Sequence, residues 1–241
     1  MFFKTKSNKM TKIIPISFKN DYGLALRGFI HEPKKYDTAV LFLHGFPGSM
    51  FNTALRICNS LSKLNYLCMR FEFSGTNTSD GKFEDKLMSK EVKEIRFAVN
   101  YLKKHYKFKK LILVGHSTGA IDACLYAHKD KRINKLVLLG MVNDLGNAAR
   151  FDFTDRNVKD FWTKGYIAYK RKGKWYNNKR MKKAFYDEFF KLDTIRSIKK
   201  YRRPLLIVHG TEDEAIPVSE PKKLYENANK PKKLVIIKNA D

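Results

Sequence analysis

Short apolar runs alternate along the chain with segments whose apolar residues recur at helical spacing. AVLFL (Ala39–Leu43), LILV before Gly115, KLVLL before Gly140 and LLIV before His209 are continuous apolar stretches of strand length. Strands covered on both faces take this form. YLCMRFEF (Tyr66–Phe73) is a further strand. Between these runs, Ala54, Ile57, Cys58, Leu61 and Leu64 mark one face of a helix, and Val92, Ile95, Val99, Leu102 and Tyr106 another. Helices are also predicted over Thr118–His128 and near Glu220–Ala228. Thr11–Phe18 and Leu24–Ile30 flank the turn signal NDYG and read as an opening hairpin. Lys233 to Asp241 reads as a buried strand running into a turn.

Strand–helix alternation predicts an α/β protein whose mostly parallel sheet carries helices on both faces. One segment breaks the rhythm. Asn143 to about Arg202 is charged, aromatic and helical in pattern, with no core strand. It is predicted to be a helical cap, 143–202, inserted between two parts of one core, 1–142 and 203–241.

A chain of 241 residues is long enough to bury a core without disulfides or structural metal. Its three cysteines, Cys58, Cys68 and Cys124, lie in apolar stretches and form no CxxC pair. That pattern predicts a reducing compartment. The N-terminal stretch is basic but has no apolar run of signal-peptide length, and no segment approaches the ~18 apolar residues of a membrane span. A cytoplasmic protein is expected. The net charge of +25 comes mostly from lysines spread along the whole chain. No nucleic-acid motif accompanies them, so no specific nucleic-acid partner is expected. The densest cluster, KRKGKWYNNKRMKK (Lys170–Lys183), leaves an anionic surface or substrate open as a partner of the cap.

Three motifs follow predicted strands. GHSTG (Gly115–Gly119) leads from LILV into the helical stretch AIDACLYAH. A nucleophile elbow needs that strand–turn–helix setting, with Ser117 held above the sheet at a helix N-terminus. In isolation the same letters describe a glycine-rich turn with a capping serine. HGFPGS (His44–Ser49) follows AVLFL and can aim the Phe46 N–H at a developing oxyanion, with the Thr118 N–H as its natural pair. His44 reads as a structural hydrogen-bonding group rather than a base. HGTEDEAIP (His209–Pro217) places Asp213 to orient a histidine, with Glu212 and Glu214 as neighbours that could be mistaken for it. All three lie where open α/β sheets put their sites.

These stretches, with MRFEFSGTNTSDGKFED, resemble the α/β-hydrolases of the serine aminopeptidase (S33-like) group, and in particular the small feruloyl and cinnamoyl esterases. The likeness runs from about Tyr36 onward, apart from the insertion. It implies an α/β-hydrolase fold and a serine hydrolase acting on a small-molecule ester, with no cofactor and no metal. Ser117 would be nucleophile, Asp213 triad acid, and Phe46 and Thr118 the backbone oxyanion donors. The basic insertion departs from the group, as does Asn77, which stands where a glycine is usual; Asn tolerates left-handed angles, so the turn can survive. In the group the last strand runs into a motif such as NADH, whose histidine is the general base. Here the letters are KNAD, and the base is expected at the next position, with a final helix beyond it. Among the histidines present, His209 is the best substitute, ahead of His116 and His44; His31, His105 and His128 fall elsewhere. Aminopeptidase and lysophospholipase activities remain open within the same fold. So does a non-catalytic binding protein, and nucleic-acid binding through the basic cap is a further alternative. The cap aromatics Phe151, Phe153, Phe161, Trp162, Tyr166, Trp175 and Tyr176 would line an acyl or aryl pocket or pack the cap itself.

Overall fold

The computed structural model describes residues 11–145, 160 and 163–240. Eight strands form the central sheet in the order β1-β2-β4-β3-β5-β6-β9-β10. They are β1 (Lys12–Lys19), β2 (Ala25–Glu32), β3 (Thr38–Leu43), β4 (Tyr66–Phe71), β5 (Lys110–His116), β6 (Lys135–Leu139), β9 (Leu205–Gly210) and β10 (Lys232–Ile237). The β1–β2 and β2–β4 pairs are antiparallel, and every pair from β4 to β10 is parallel. The opening hairpin turns through Asn20–Gly23, where the Asn20 carboxamide oxygen accepts the N–H groups of Tyr22 and Leu24. Gly23 takes the positive φ of +74° that this turn requires.

The helices are α1 (Thr53–Lys63), α2 (Met88–His105), α3 (Thr118–Ala127), α4 (Lys183–Phe189), α5 (Thr194–Ile198) and α6 (Ser219–Asn227). Alternate residues of β3 enter opposite cores, as the two-residue repeat of a strand dictates. Ala39, Leu41 and Leu43 join the larger core with α2 and α3. Val40 and Phe42 join a smaller one with Ala54 and Cys58 of α1. All ten residues of α3 are buried. Its small side chains, Gly119, Ala120, Ala123 and Ala127, let the helix lie close on the sheet.

The expected insertion lies between β6 and β9. Its described part differs from an all-helical cap. β7 (Tyr166–Ala168) and β8 (Arg180–Lys182) pair antiparallel, ahead of α4 and α5. Strands of three residues leave too short a pattern to read. Rings hold them: Tyr169 and Trp175 pack edge-on against Phe83 at 5.5 Å, and Tyr176 against Tyr169 at 5.7 Å. Phe151, Phe153, Phe161 and Trp162 lie outside the described residues. The expectation for the last strand also needs correction. β10 is not fully buried anywhere along its length, and Ile237 is 45% exposed. Among the described residues, β10 is the edge strand of the sheet and pairs on one side only, with β9. Among the described residues, no helix is long and apolar enough to cross a membrane.

Candidate active site

Ser117 follows β5 directly and has φ +55° and ψ −124°. A non-glycine residue held there costs on the order of 1–3 kcal/mol, and its surroundings must impose it. They do so from both sides. The Ser117 N–H donates to the Leu139 carbonyl at 2.9 Å, and the Ser117 carbonyl accepts the Ala120 N–H at 2.8 Å. Two glycines let the neighbouring loop come close. A Cβ on Gly119 would stand 2.5 Å from the His44 carbonyl oxygen and 2.6 Å from that of Leu43. A Cβ on Gly45 would stand 2.8 Å from the Ser117 Cβ. The GHSTG turn and the HGFPGS loop are therefore nested, backbone against backbone.

Phe46 and Thr118 are brought together by this nesting. The Phe46 N–H donates to the Thr118 hydroxyl at 2.6 Å. Thr118 opens α3, whose first N–H groups have no partner within the helix. The orientation of the Phe46 N–H is set by His44. The His44 Nε2 accepts the Phe73 N–H at 3.4 Å, so its Nδ1 carries the proton and donates to the Gly45 carbonyl at 3.0 Å. The Gly45 carbonyl and the Phe46 N–H belong to one planar trans peptide and point in opposite directions. Holding the carbonyl on His44 therefore turns the N–H toward Thr118. His44 is thus a positioning group, and burial, followed by the nearby Lys86 charge, pushes its pKa down to about 3. The loop's far end is tied by Arg70, which donates to the Met50 carbonyl at 3.1 Å and to His31 Nε2 at 2.9 Å.

This arrangement has a pH signature. An unfolded histidine titrates near 6.5, whereas folded His44 resists protonation until about pH 3. Between those values the unfolded chain binds the extra proton, so His44 lowers stability progressively as pH falls from 6.5 toward 3. His44→Gln is expected to remove that part of the slope. Urea midpoints at pH 7 and pH 5 should lie closer together in the variant than in the wild type.

Asp213 sits in the turn after β9. Its Oδ1 accepts the N–H groups of Ala215 at 3.1 Å and Ile216 at 2.8 Å. Glu212 and Glu214 are exposed, whereas Asp213 is half-buried. Its Oδ2 faces the end of β6, where a Cβ on Gly140 would lie 3.6 Å away. Gly140 directly follows Leu139, the partner of Ser117. Ser117 and Asp213 thus flank one strand end. His209 lies 3.6 Å from Asp213 Oδ2, but its Nε2 is 2.8 Å from the Ile216 carbonyl and the ring is buried in the acid loop. His31 is engaged by Arg70, and His105 stacks on Tyr101 at 4.4 Å. His116 lines a cavity of about 120 Å³ beside Ser117, with Phe42, His44, Asn52 and Thr53.

Sequence reasoning missed the support beneath the site. Lys86 and Glu91 form a buried ion pair at 2.6 Å, and Lys86 also donates to the Thr76 hydroxyl at 2.6 Å and the Ser74 carbonyl at 3.2 Å. Burial, with Glu91 next to it, pushes the Asp122 carboxyl well above the usual carboxylate range. Asn77 takes φ +38°, and its amide donates to Glu72 at 3.2 Å, so asparagine does serve at that turn. On the cap side, the Phe46 ring stacks between Phe185 at 5.0 Å and Phe83 at 5.6 Å.

A parallel sheet with a strained serine after its central strand and an acid two strands away defines a class, and comparison with known proteins agrees. The family described as alpha/beta hydrolase fold matches residues 38–161, more than half of the chain, and this protein belongs to it. Est1E of Butyrivibrio proteoclasticus, solved with ferulic acid bound, superposes with a TM-score of 0.79 at 24% identity, over 92% of this chain and 89% of that one. The Pyrococcus furiosus esterase Pf2001 gives 0.74 at 20% identity, over 94% and 82%. The uncharacterized protein YqkD of Bacillus subtilis (strain 168) is 24% identical over 236 residues, 91% of this chain and 70% of its own. At these identities the structural likeness is one of fold.

Proposed function

We propose that this protein is a serine hydrolase that cleaves carboxylic esters through an acyl-enzyme on Ser117. The observation that carries the reading is the nesting of the Ser117 turn against the HGFPGS loop. It holds a strained serine, a helix N-terminus and the Phe46 N–H against one another, an arrangement suited to an attacking oxygen and a developing oxyanion. Asp213, fixed through Oδ1 with Oδ2 left facing the end of β6, is the acid that orients the base.

The base belongs between Ser117 Oγ and Asp213 Oδ2. The described histidines supply no clear candidate, since His44 and His209 are committed to Gly45 and Ile216. The chain leaving β10 is tied to the acid loop: Glu212 N–H donates to the Ala240 carbonyl at 2.8 Å, and Asn239 N–H to the Thr211 hydroxyl at 2.9 Å. In this reading the general base that takes the Ser117 proton stands in that space between Ser117 and Asp213, oriented by Asp213.

The ferulic acid bound by Est1E makes aryl carboxylic esters the first substrates to try. Lys172, Lys174, Lys179 and Arg180 are exposed on the β7–β8 hairpin and favour esters that carry, or are presented on, negative charge. Hydrolysis of aryl and lysolipid esters by the protein as its gene encodes it tests the reading. Asp213→Asn should lower kcat by on the order of 10⁴-fold with the fold intact. Full activity in that variant, or no turnover of any ester by the wild type, would count against it.

A further inference from the structure

The Thr118 hydroxyl has a role that its backbone N–H does not exhaust. Its Oγ1 accepts the Phe46 N–H at 2.6 Å, within the turn that also carries Ser117. Thr118 is 1% exposed. Among the described residues, this is the only hydrogen bond its side chain makes. A hydroxyl carries one proton to donate as well as lone pairs to accept. Here the accepting side is used, and among the described residues the donated proton has no partner. A buried donor left in that state is costly and calls for an acceptor that arrives from outside. The hydroxyl rotates freely about its C–O bond, and the residue adjoins the Ser117 turn.

We propose that Thr118 Oγ1–H is itself an oxyanion donor, charge-relayed by the Phe46 N–H behind it. The proposal rests on the serine-hydrolase reading. In the acylation step the Ser117 Oγ–carbon bond forms, the carbonyl π pair moves onto the substrate oxygen, and the Ser117 proton goes to the general base. Thr118 keeps its proton and donates a hydrogen bond to the new oxyanion, while the Phe46 N–H polarises the hydroxyl from the other side. The hydroxyl alone touches the oxyanion, and the Phe46 N–H acts through it without touching substrate. The opposite role is also chemically possible for this contact: the hydroxyl would be a plug that substrate must push off the Phe46 N–H.

Thr118→Val, Thr118→Ser and Ser117→Ala separate these roles on an aryl acetate. Valine keeps the shape and removes the hydroxyl; serine keeps the hydroxyl. A relay predicts that Thr118→Val loses about 10²–10³-fold in kcat with KM little changed, the size of one lost oxyanion donor. Thr118→Ser should stay within roughly tenfold of the wild type. Inhibition by an aryl trifluoromethyl ketone, which forms an oxyanion on the serine, should weaken in Thr118→Val in step with kcat. Product carboxylate binding should not change, and a merely structural role would move both. Unchanged or faster turnover in Thr118→Val overturns the relay and makes the hydroxyl a plug. If the valine variant does not fold, loss of most activity in a folded Thr118→Ser equally overturns the proposal. Activity that survives Ser117→Ala sinks the serine-hydrolase reading and this proposal with it, whereas loss in Ser117→Ala with none in Thr118→Val sinks this proposal alone.

Discussion

Replacing Ser117 with alanine is expected to lower ester hydrolysis by on the order of 10⁵–10⁶-fold, to the level left by binding and oxyanion contacts alone. The effect is on chemistry, and the fold should be kept. Ser117 holds φ +55°, which costs alanine no less than serine, but the backbone bonds to Leu139 and Ala120 that impose the turn do not involve the side chain. Substrate KM should change little, because the hydroxyl is needed only once a covalent bond begins to form. The contrast between lost kcat and kept melting temperature separates a nucleophile from a capping serine in a glycine-rich turn. A capping serine replaced by alanine would cost about 1 kcal/mol of stability and leave turnover alone.

Gly119→Ala should show the opposite pattern and damage the fold and activity together. The added methyl would stand 2.5 Å from one backbone oxygen and 2.6 Å from another. Neither can rotate away, since Leu43 ends the buried strand β3 and His44 is held by Phe73 and Gly45. To relieve the clash, α3 must lift from the sheet or the HGFPGS loop must withdraw. Either movement breaks the Phe46–Thr118 contact. A loss of about 3 kcal/mol or more is expected, at the upper end of overpacking costs. Hydrolysis by whatever folded protein remains should fall at least 10²-fold, as for a lost oxyanion donor. Urea unfolding and kcat measured on the same sample check both parts. A variant of wild-type stability would mean that the two loops are less tightly nested than these distances imply.

The parts of this architecture that were legible in the sequence share one physical property. Buried parallel strands must be apolar on both faces, so β3, β5, β6 and β9 appear as unbroken runs. Each ends in a glycine-containing turn that marks where the site lies. The Ser117 turn could be read because its glycines are demanded by backbone contacts that leave no other choice. What escaped depends on pairings distant in sequence. Nothing local says that the Thr118 hydroxyl meets the Phe46 N–H across 72 positions. Lys86, Glu91 and Asp122 lie in three separate stretches of sequence, and only the fold shows that they are buried together. β7 and β8, three residues each, are too short to carry a strand pattern. LVII in β10 is as apolar as the central strands, so its pattern alone predicts burial. Its edge position follows from topology, which composition does not encode.

Covalent labelling reads directly whether Ser117 is an activated nucleophile. The protein as its gene encodes it would be incubated with a fluorophosphonate probe, digested, and analysed by mass spectrometry, with Ser117→Ala alongside. One phosphonylated site is expected, on the peptide that carries GHSTG, absent from the alanine variant and strongly reduced in Asp213→Asn. A wild-type protein that stays unlabelled, or that is labelled at a different residue, would contradict that role for Ser117.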